Sequence, residues 1–286
     1  MAGVSLARRL SHLALPESKS LATPAEAIVE GSLELAMREA SQLTVTLLDP
    51  RGQIAAAGGL VLGAPMKWGG LKFSLAEITH GPVNGVRSTV LKGRTAGWQT
   101  LKHDKAHRGP KKWRGVSPSQ VVISEAKAAG LKWLVEPTAK RDVVSRLPKE
   151  QKKGPLVSTL DMIDRLASES GFVFGEVGGT LVFASPTWLT KRAGYAVDAG
   201  SDFLTEYPTV LKTRDDKDAP GRVTLRVLGE SPQQVLLPFT SVSVTGVPGK
   251  FQGRYLVNTV TVPLSRADPA EIELVTPVDP KKEDKA

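Results

Sequence analysis

Short stretches in which apolar and polar residues alternate recur near both ends of this 286-residue chain. In LTVTL, residues 43 to 47, the aliphatic residues occupy every second position, which is the pattern of a strand with one buried face. Turn sequences separate such stretches, as DPRG does at 49–52, where proline presets one φ and glycine can adopt a positive one. The β-branched residues and glycines disfavour helix, so both ends are predicted to form small barrels or sandwiches of short strands.

The first β-rich part is predicted to span 25–100, after an N-terminal arm at 1–24. Residues 26–48 contain two extended segments, and three more strands are expected in GLVLGA (59–64), LKFSLAEIT (71–79) and VRSTVLKG (86–93). PMKWGG (65–70) and HGPVNG (80–85) are interpreted as the turns between them.

The middle of the chain, 101–194, changes to a helical pattern and is predicted to be a basic segment followed by a small α/β insert. In SPSQVVISEAKAAGLKW, Ser117 and Gln120 can form a capping box, and Gly130 suits the left-handed residue that ends a helix. Residues 158–174 repeat this plan without a gap, with Gly171 in the place of Gly130, so we interpret the two copies as a helix–strand repeat. Trp133 aligns with Phe174 and is expected to be a core residue. A hairpin with Gly178 and Gly179 in its turn follows the second copy.

The strand pattern returns in a second β-rich part at 195–277, and the polar segment 278–286 is expected to be a disordered tail. Strands are predicted in RVTLRVLG (222–229), VLLPF (235–239), TSVSVTG (240–246), RYLVNTVTV (254–262) and EIELVTP (271–277). Around Tyr255, strict alternation would put Tyr255, Val257 and Thr259 on one face and Leu256, Asn258 and Val260 on the other. Gly253 is expected to supply a bend or a close backbone approach.

Positive charge is concentrated in one tract. Between Arg87 and Lys153, 17 Lys and Arg residues stand against 5 Asp and Glu, while the whole chain carries a formal charge of +9. Lys111, Lys112 and Arg114 lie at its peak, LKHDKAHRGPKKWRG (101–115), and are the candidate partner-binding residues. An alternative interpretation is a β-rich nucleic-acid-binding protein that uses residues 92–153, in which lysines neutralise phosphates and Trp98, Trp113 and Trp133 could stack on bases.

No enzyme motif emerges from the sequence. Phosphate-binding loops, dinucleotide fingerprints, zinc-protease motifs and nucleophile elbows are absent, and without cysteine there can be neither disulfides nor thiolate metal sites. His103 and His107 could share a helix face, but their basic surroundings disfavour a metal ion. A cell-wall hydrolase would need a carboxylate pair, and none stands out among Glu125, Glu136, Asp161, Asp164, Glu169 and Glu176. We therefore expect a non-enzymatic protein with no cofactor and no metal.

The closing segment VTGVPGKFQGRYLVNTVTVPLSRADPAEIELVTP resembles the last strands of phage tail hub proteins, the baseplate hub or tail-tip hub family that includes late-control D-like proteins. Gly253, Tyr255, Val257 and Val260 match its G-x-Y-x-V-x-x-V strand. ASQLTVTLLDPRG and LKFSLAEITHGPVNGVRSTV resemble strands of the family's first barrel, and the two capped helices resemble its inserted domains. The resemblance extends over residues 25–277.

This resemblance implies a mainly β fold with a small α/β insert, in which two β-barrel tube-type domains flank the helix–strand units. It implies a structural virion protein of a bacteriophage tail tip, assembled in the host cytoplasm as a homotrimer ring. Such a ring joins the tail tube to spike, fibre or tape-measure proteins, and has no membrane anchor and no specific nucleic-acid binding. Because a positive lumen would trap DNA, the basic tract is expected to lie outside it and to face an acidic tail protein.

Overall fold

The computed structural model describes residues 13–15, 28–56, 60–103, 112–144, 158–211, 221–227, 236–264 and 268–280. Several predictions fall outside these residues: those on Lys111 and His107, on most of the N-terminal arm and on the end of the tail. No helix among the described residues is long and apolar enough to cross a membrane.

The elements of the first β-rich part are β1 (Leu13–Ala14), β2 (Ile28–Ala36), β3 (Gln42–Leu48), α1 (Gln53–Ala56), β4 (Pro65–Trp68), β5 (Leu71–Val83), β6 (Val86–Thr95) and α2 (Ala96–His103). Its strands form one wing of a large sheet, in the order β1-β4-β5-β6-β3-β2 with every pair antiparallel.

The insert contains a three-stranded sheet and a two-stranded sheet packed with helices. Its elements are β7 (Lys112–Val116), α3 (Pro118–Ala128), β8 (Lys132–Val135), β9 (Arg141–Val144), α4 (Thr159–Ser170), β10 (Val173–Val177), β11 (Thr180–Ala184) and α5 (Pro186–Thr190). Strands β10 and β11 form the predicted hairpin, β8 pairs with β11 in parallel, and β7 pairs with β9.

The second β-rich part comprises β12 (Tyr195–Asp198), β13 (Thr209–Leu211), β14 (Arg222–Val227), β15 (Ser241–Thr245), β16 (Gly253–Pro263) and β17 (Ala270–Val275). β16 pairs with β17 on one side, and on the other with β15 and then with β2. The β2–β16 pairing joins the two β-rich parts into one sheet of twelve strands among the described residues, and one apolar core extends across both. The mainly β fold with a small α/β insert is therefore confirmed, whereas the division into two barrels stays a prediction.

A β-bulge in β16 makes this junction possible. Opposite β17, the register shifts between Val257 and Thr259, which leaves Asn258 as the extra residue. The carbonyl of Asn258 accepts a hydrogen bond from the N–H of Met37 at 2.9 Å, where β16 changes partners from β15 to β2. The predicted alternation of faces is wrong here, because the bulge puts Val257 and Val260 in the same core.

Four predicted assignments in the β-rich parts are wrong. HGPVNG (80–85) is not a turn throughout, because its first four residues end strand β5 and only Asn84 and Gly85, both with positive φ, form the turn. GLVLGA forms no strand over its described residues 60–64, while PMKW is a strand in which Met66 and Trp68 are buried and Lys67 is exposed. The proline and glycines around PMKW suggested a turn, but its own alternation fits a strand. VLLPF forms no strand over 236–239, since Phe239 adopts a φ of 68°, which an extended strand cannot contain.

Both capped helices are confirmed. The side chains of Ser117 and Ser158 each accept a hydrogen bond from a backbone N–H of the first turn, and Gln120 and Asp161 complete the two capping boxes. Gly130 and Gly171 follow the helices with φ values of 70° and 68°. These left-handed conformations are the reason why glycine ends both copies.

Trp133 does not follow its counterpart in the repeat. Phe174 is buried, but Trp133 is 43% exposed and lies beneath the ammonium group of Lys127, 5.0 Å from the ring centroid. The prediction of a core tryptophan is therefore wrong. Both strands are edges of the three-stranded sheet, but β10 packs against the helices and the large sheet, whereas Trp133 on β8 lies outside the core of the insert.

Gly253 begins β16 with a φ of 153°, a value that residues with a Cβ rarely adopt. A close backbone approach is ruled out, since a Cβ there would meet nothing within 4 Å. We expect Gly253→Ala to lower the free energy of unfolding by about 1–3 kcal/mol through backbone strain alone. Chemical denaturation should show this loss for Gly253→Ala. It should show no such loss for Gly249→Ala, because Gly249 is equally open but has no positive φ. Equal stability of the two variants would contradict the strain.

Candidate functional site

The described residues contain no group of three or more His, Asp or Glu side chains that could hold a metal ion. Most of the carboxylates considered for hydrolysis have structural partners. Asp161 caps α4, Glu169 bridges Arg141 and Arg165 at 2.7 and 2.8 Å, and Glu136 accepts the backbone N–H of Ser185 at 2.7 Å. The candidate functional features are therefore surfaces and a junction between elements.

The peak of the basic tract carries an ion pair. Lys112 lies 3.2 Å from Asp142, whose other oxygen accepts the N–H of Gly115 at 3.1 Å. The hydrogen bond from Gly115, followed by that from Lys112, lowers the pKa of the Asp142 carboxyl. Arg114 is exposed on the same strand. The β7–β9 ribbon therefore presents Arg114 and the partly neutralised Lys112 to solvent.

The tryptophans of the tract have different environments. Trp98 stacks on Phe174 with ring centroids 5.8 Å apart and planes 8° apart, and Trp113 packs on the core of the insert. Of these three, Trp133 alone is exposed to solvent. The rings of Trp98 and Trp113 therefore pack against the core of the insert, and only that of Trp133 is exposed for stacking on a base.

A close backbone approach holds the insert against the large sheet. A Cβ added to Gly175 in β10 would lie 2.1 Å from the carbonyl oxygen of Met37 and 2.8 Å from the ring of Phe239. Around this point, Met37, Phe239 and Leu256 share an apolar cluster with residues of β10 and β11. Only a residue without a side chain fits between these two layers.

Glu176 lies next to Gly175 and is 1% exposed. Its carboxylate accepts the backbone N–H of Trp98 at 3.3 Å and that of Gly179 at 2.8 Å, so it links α2 to the β10–β11 turn. Burial raises the pKa of this carboxyl above its ordinary value, although both hydrogen bonds favour the charged form. The first β-rich part and the insert therefore meet at a buried carboxylate.

This environment predicts an unusual pH dependence. Because the pKa of Glu176 is higher in the folded state, the folded protein binds the proton more tightly, and stability falls as pH rises from 4.5 through the raised value. Relative to Glu176→Gln, which does not titrate, the wild type should therefore lose unfolding free energy between acidic and neutral pH.

Asp198→Asn is the control of opposite sign. The N–H of Gly200 and then the hydroxyl of Thr245 lower the pKa of Asp198, so the wild type should gain stability over this variant as pH rises towards 3.8 and keep a constant advantage above it. Denaturant unfolding at several pH values measures both differences. If the difference in unfolding free energy between the wild type and the variant changed with pH in the same direction for both variants, the assignment of Glu176 would be contradicted.

Exposed aromatic side chains lie along the second β-rich part. Tyr195 is 59% exposed on β12, and Phe203 and Tyr207, which follow it, are 42% and 57% exposed. Among the described residues, β12 pairs only with β15, so its outer edge is unpaired. Aromatic residues beside a free strand edge are typical of surfaces that contact another chain.

Sequence reasoning singled out neither Gly175 nor this aromatic surface. Gly175 lacks any local turn signal, and only its occurrence inside an apolar strand could have indicated a close approach. The two site glycines that end helices, Gly130 and Gly171, were recognisable because the caps around them are local. The roles of Gly253, Tyr255, Arg114 and Lys112 in assembly stay predictions.

Comparison with solved structures identifies proteins of similar fold. The 43 kDa tail protein of prophage MuSo2 from Shewanella oneidensis has a TM-score of 0.62 and 13% identity, with 87% of this chain and 93% of that chain covered. Prophage tail protein gp18 from Listeria monocytogenes EGD-e has a TM-score of 0.54 and 9% identity, with 91% and 90% covered. The E. coli c3393 protein, a type VI secretion component similar to T4 tail proteins gp27 and gp5, has a TM-score of 0.55 and 13% identity, with 92% and 75% covered.

No family model and no curated protein matches the chain. The structural matches extend over nearly the whole chain, the insert included, at identities of 9–13%. The resemblance to the phage tail hub family is thus confirmed at the level of the fold, which this chain shares with phage tail proteins.

Proposed function

We propose that this protein is a structural component of a bacteriophage tail tip, a ring-forming baseplate hub that joins the tail tube to the distal spike or fibre proteins. The observation that carries the proposal is the shared fold, which covers about nine-tenths of this chain and of the prophage tail proteins alike.

The sheet edges support assembly through repeated contacts. At its two ends, β1 and β13 each pair with a single strand among the described residues, and β12 branches off with an unpaired outer edge. A heterologous contact between an edge of one copy and a different surface of the next closes into a ring when the rotation per copy allows it. In a trimer, two β-rich parts per chain would give six positions around the axis, which matches a sixfold tube above a threefold spike.

The proposal assigns a mechanical role without chemistry. A hub must hold its shape while partners attach on opposite sides. The continuous sheet with its single core and the close contact at Gly175 suit that task. The partners would be a second and third copy, a tail tube protein, and a spike, fibre or tape-measure protein.

The oligomeric state tests the proposal directly. We expect multi-angle light scattering to give three times the mass of the 30.5 kDa chain, and negative-stain images to show threefold rings. Tyr195→Glu together with Tyr207→Glu should reduce the assembly to monomers that keep the same far-ultraviolet circular dichroism. Val86→Glu with Val29→Glu, two exposed changes in the first β-rich part, is the matched control. A wild-type protein that remains monomeric at high concentration and with tail partners present would contradict the ring.

The basic tract should act in attachment to partners. We expect Lys111→Ser, Lys112→Ser and Arg114→Ser combined to weaken co-purification with neighbouring tail proteins, most strongly at low salt. Exposed charges contribute only about 0–1 kcal/mol each to folding, so the isolated variant should fold normally. Virion assembly and DNA binding would be measured on the same protein. Intact assembly with loss of DNA binding would instead support a nucleic-acid-binding role for residues 92–153.

A further inference from the structure

A groove of about 520 Å3 lies between the β5–β6 hairpin and helix α2. Lys92 and Arg94 project into it from β6, Gln99, Lys102 and His103 line it from α2, and the exposed Leu62 stands at its rim. It lies outside the 101–115 peak of the basic tract except for Lys102 and His103. The groove is therefore a second, concave basic surface.

The cations of the groove exceed its anions. Among the described residues that line the groove, Glu77 is the one carboxylate, and its oxygen lies 2.9 Å from the ammonium group of Lys92. Arg94 and Lys102 have no ion pair with any described residue, and the His103 ring bonds to Gln99 at 3.0 Å. Two charged donors thus remain available to a ligand.

The spacing of these groups suits an extended chain. Lys92 and Arg94 are two residues apart on one strand, so they face the same side about 7 Å apart. A ligand in extended conformation presents every second side chain at that same interval. Lys102 faces them from the helix on the other wall. Because Glu77 already holds Lys92, carboxylates of an extended segment lying between the two walls could contact Arg94 on the strand and Lys102 on the helix.

We propose that this groove binds an extended, acidic segment of a partner protein, with carboxylates held by Arg94 on one wall and Lys102 on the other. The Glu77–Lys92 ion pair shows that a carboxylate can be held by a cation inside this groove. That the partner is a tail protein rests on the proposed function; the chemistry of the groove does not.

Two observations favour a carboxylate segment over a nucleic acid. Binding of single-stranded nucleic acid relies on aromatic side chains on which bases stack, and no Phe, Tyr or Trp stands among the described residues that line this groove. Leu62 and the floor of the groove instead offer apolar surface to the side chains between the carboxylates.

The test measures binding of a fluorescent peptide of alternating glutamate and serine by anisotropy at low salt, with the full-length protein. We expect Arg94→Gln with Lys102→Gln to weaken the affinity by about tenfold or more, since each lost partner is a charge-assisted bond. Lys127→Gln with Lys132→Gln removes the same charge from two exposed sites outside the groove, and should change the affinity less than about twofold. Lys102→Glu, a single exposed change on α2, should abolish binding even if the double variant misfolds.

The proposal is decided by comparing the peptide affinities of the wild type, the groove variants and the control variant. Equal weakening by the groove and control variants would overturn the site, because the binding would then follow net charge alone. Tighter binding of oligothymidylate than of the peptide, lost in the groove variants, would overturn the carboxylate ligand in favour of nucleic acid. Neither result depends on ring assembly, so a failed trimer with intact peptide binding would count against the hub alone.

Discussion

Gly175→Ala should abolish docking of the insert on the large sheet. The added Cβ would lie 2.1 Å from the carbonyl oxygen of Met37, and a backbone atom at that distance cannot rotate away as a side chain could. We expect a loss of about 3 kcal/mol or more, the upper end of ordinary overpacking, because two sheets must separate to relieve the contact. Thermal unfolding monitored by circular dichroism measures the loss.

Gly81→Ala provides the matched control. Gly81 also lies inside a strand, β5, but a Cβ there would meet nothing within 4 Å. The same substitution should therefore leave the melting temperature nearly unchanged. If Gly175→Ala has the same melting temperature as Gly81→Ala, the close contact between the insert and the sheet does not exist as described.

The contrast between local and distant determinants explains what the sequence could predict. The capping boxes at Ser117 and Ser158 depend on residues three positions apart, so their pattern is visible in the chain itself. The β10–β11 hairpin is equally local, since its turn needs positive φ at Gly178 and Gly179. Features of this kind were predicted correctly together with the mainly β fold class.

Features that depend on distant partners were missed. Strict alternation around Tyr255 ignores the bulge at Asn258, which arises because β16 must leave β15 and join β2. Phe239 takes a positive φ in a position where the sequence suggests a strand, and its N–H bonds to the carbonyl of Val257 at 3.0 Å. Neither requirement leaves a signal in the residues beside it.

The candidate surfaces show the same division. A charge surplus can be counted along the chain, so the basic tract was found. The groove between β6 and α2 was not, because its cations come from a strand and a helix whose approach depends on the whole fold. Trp133 was misplaced for a related reason: a repeat aligns residues by sequence, while exposure depends on which elements pack against each strand.

The repeat also bears on how the insert folds. β11 lies between β10, which follows the second helix, and β8, which follows the first. Phe183 of β11 is fully buried in one cluster with Val122 of α3 and Ile163 of α4, and its ring meets that of Phe172 edge-on at 5.1 Å. The two copies therefore share a core, although each carries its own caps.

Phe183→Ala should destabilise both copies together. Removal of this ring should cost about 3–5 kcal/mol, because the walls of the cavity belong to two helices and cannot both collapse inward. Native-state hydrogen exchange should show the amides of α3 and α4 losing protection to the same extent, while β3 and β6 in the large sheet lose less. Phe203→Ala, which removes the same ring from an exposed position, should leave exchange unchanged. Loss of protection confined to α4 would mean that each helix–strand copy folds on its own, and that the shared strand joins them without coupling their stability.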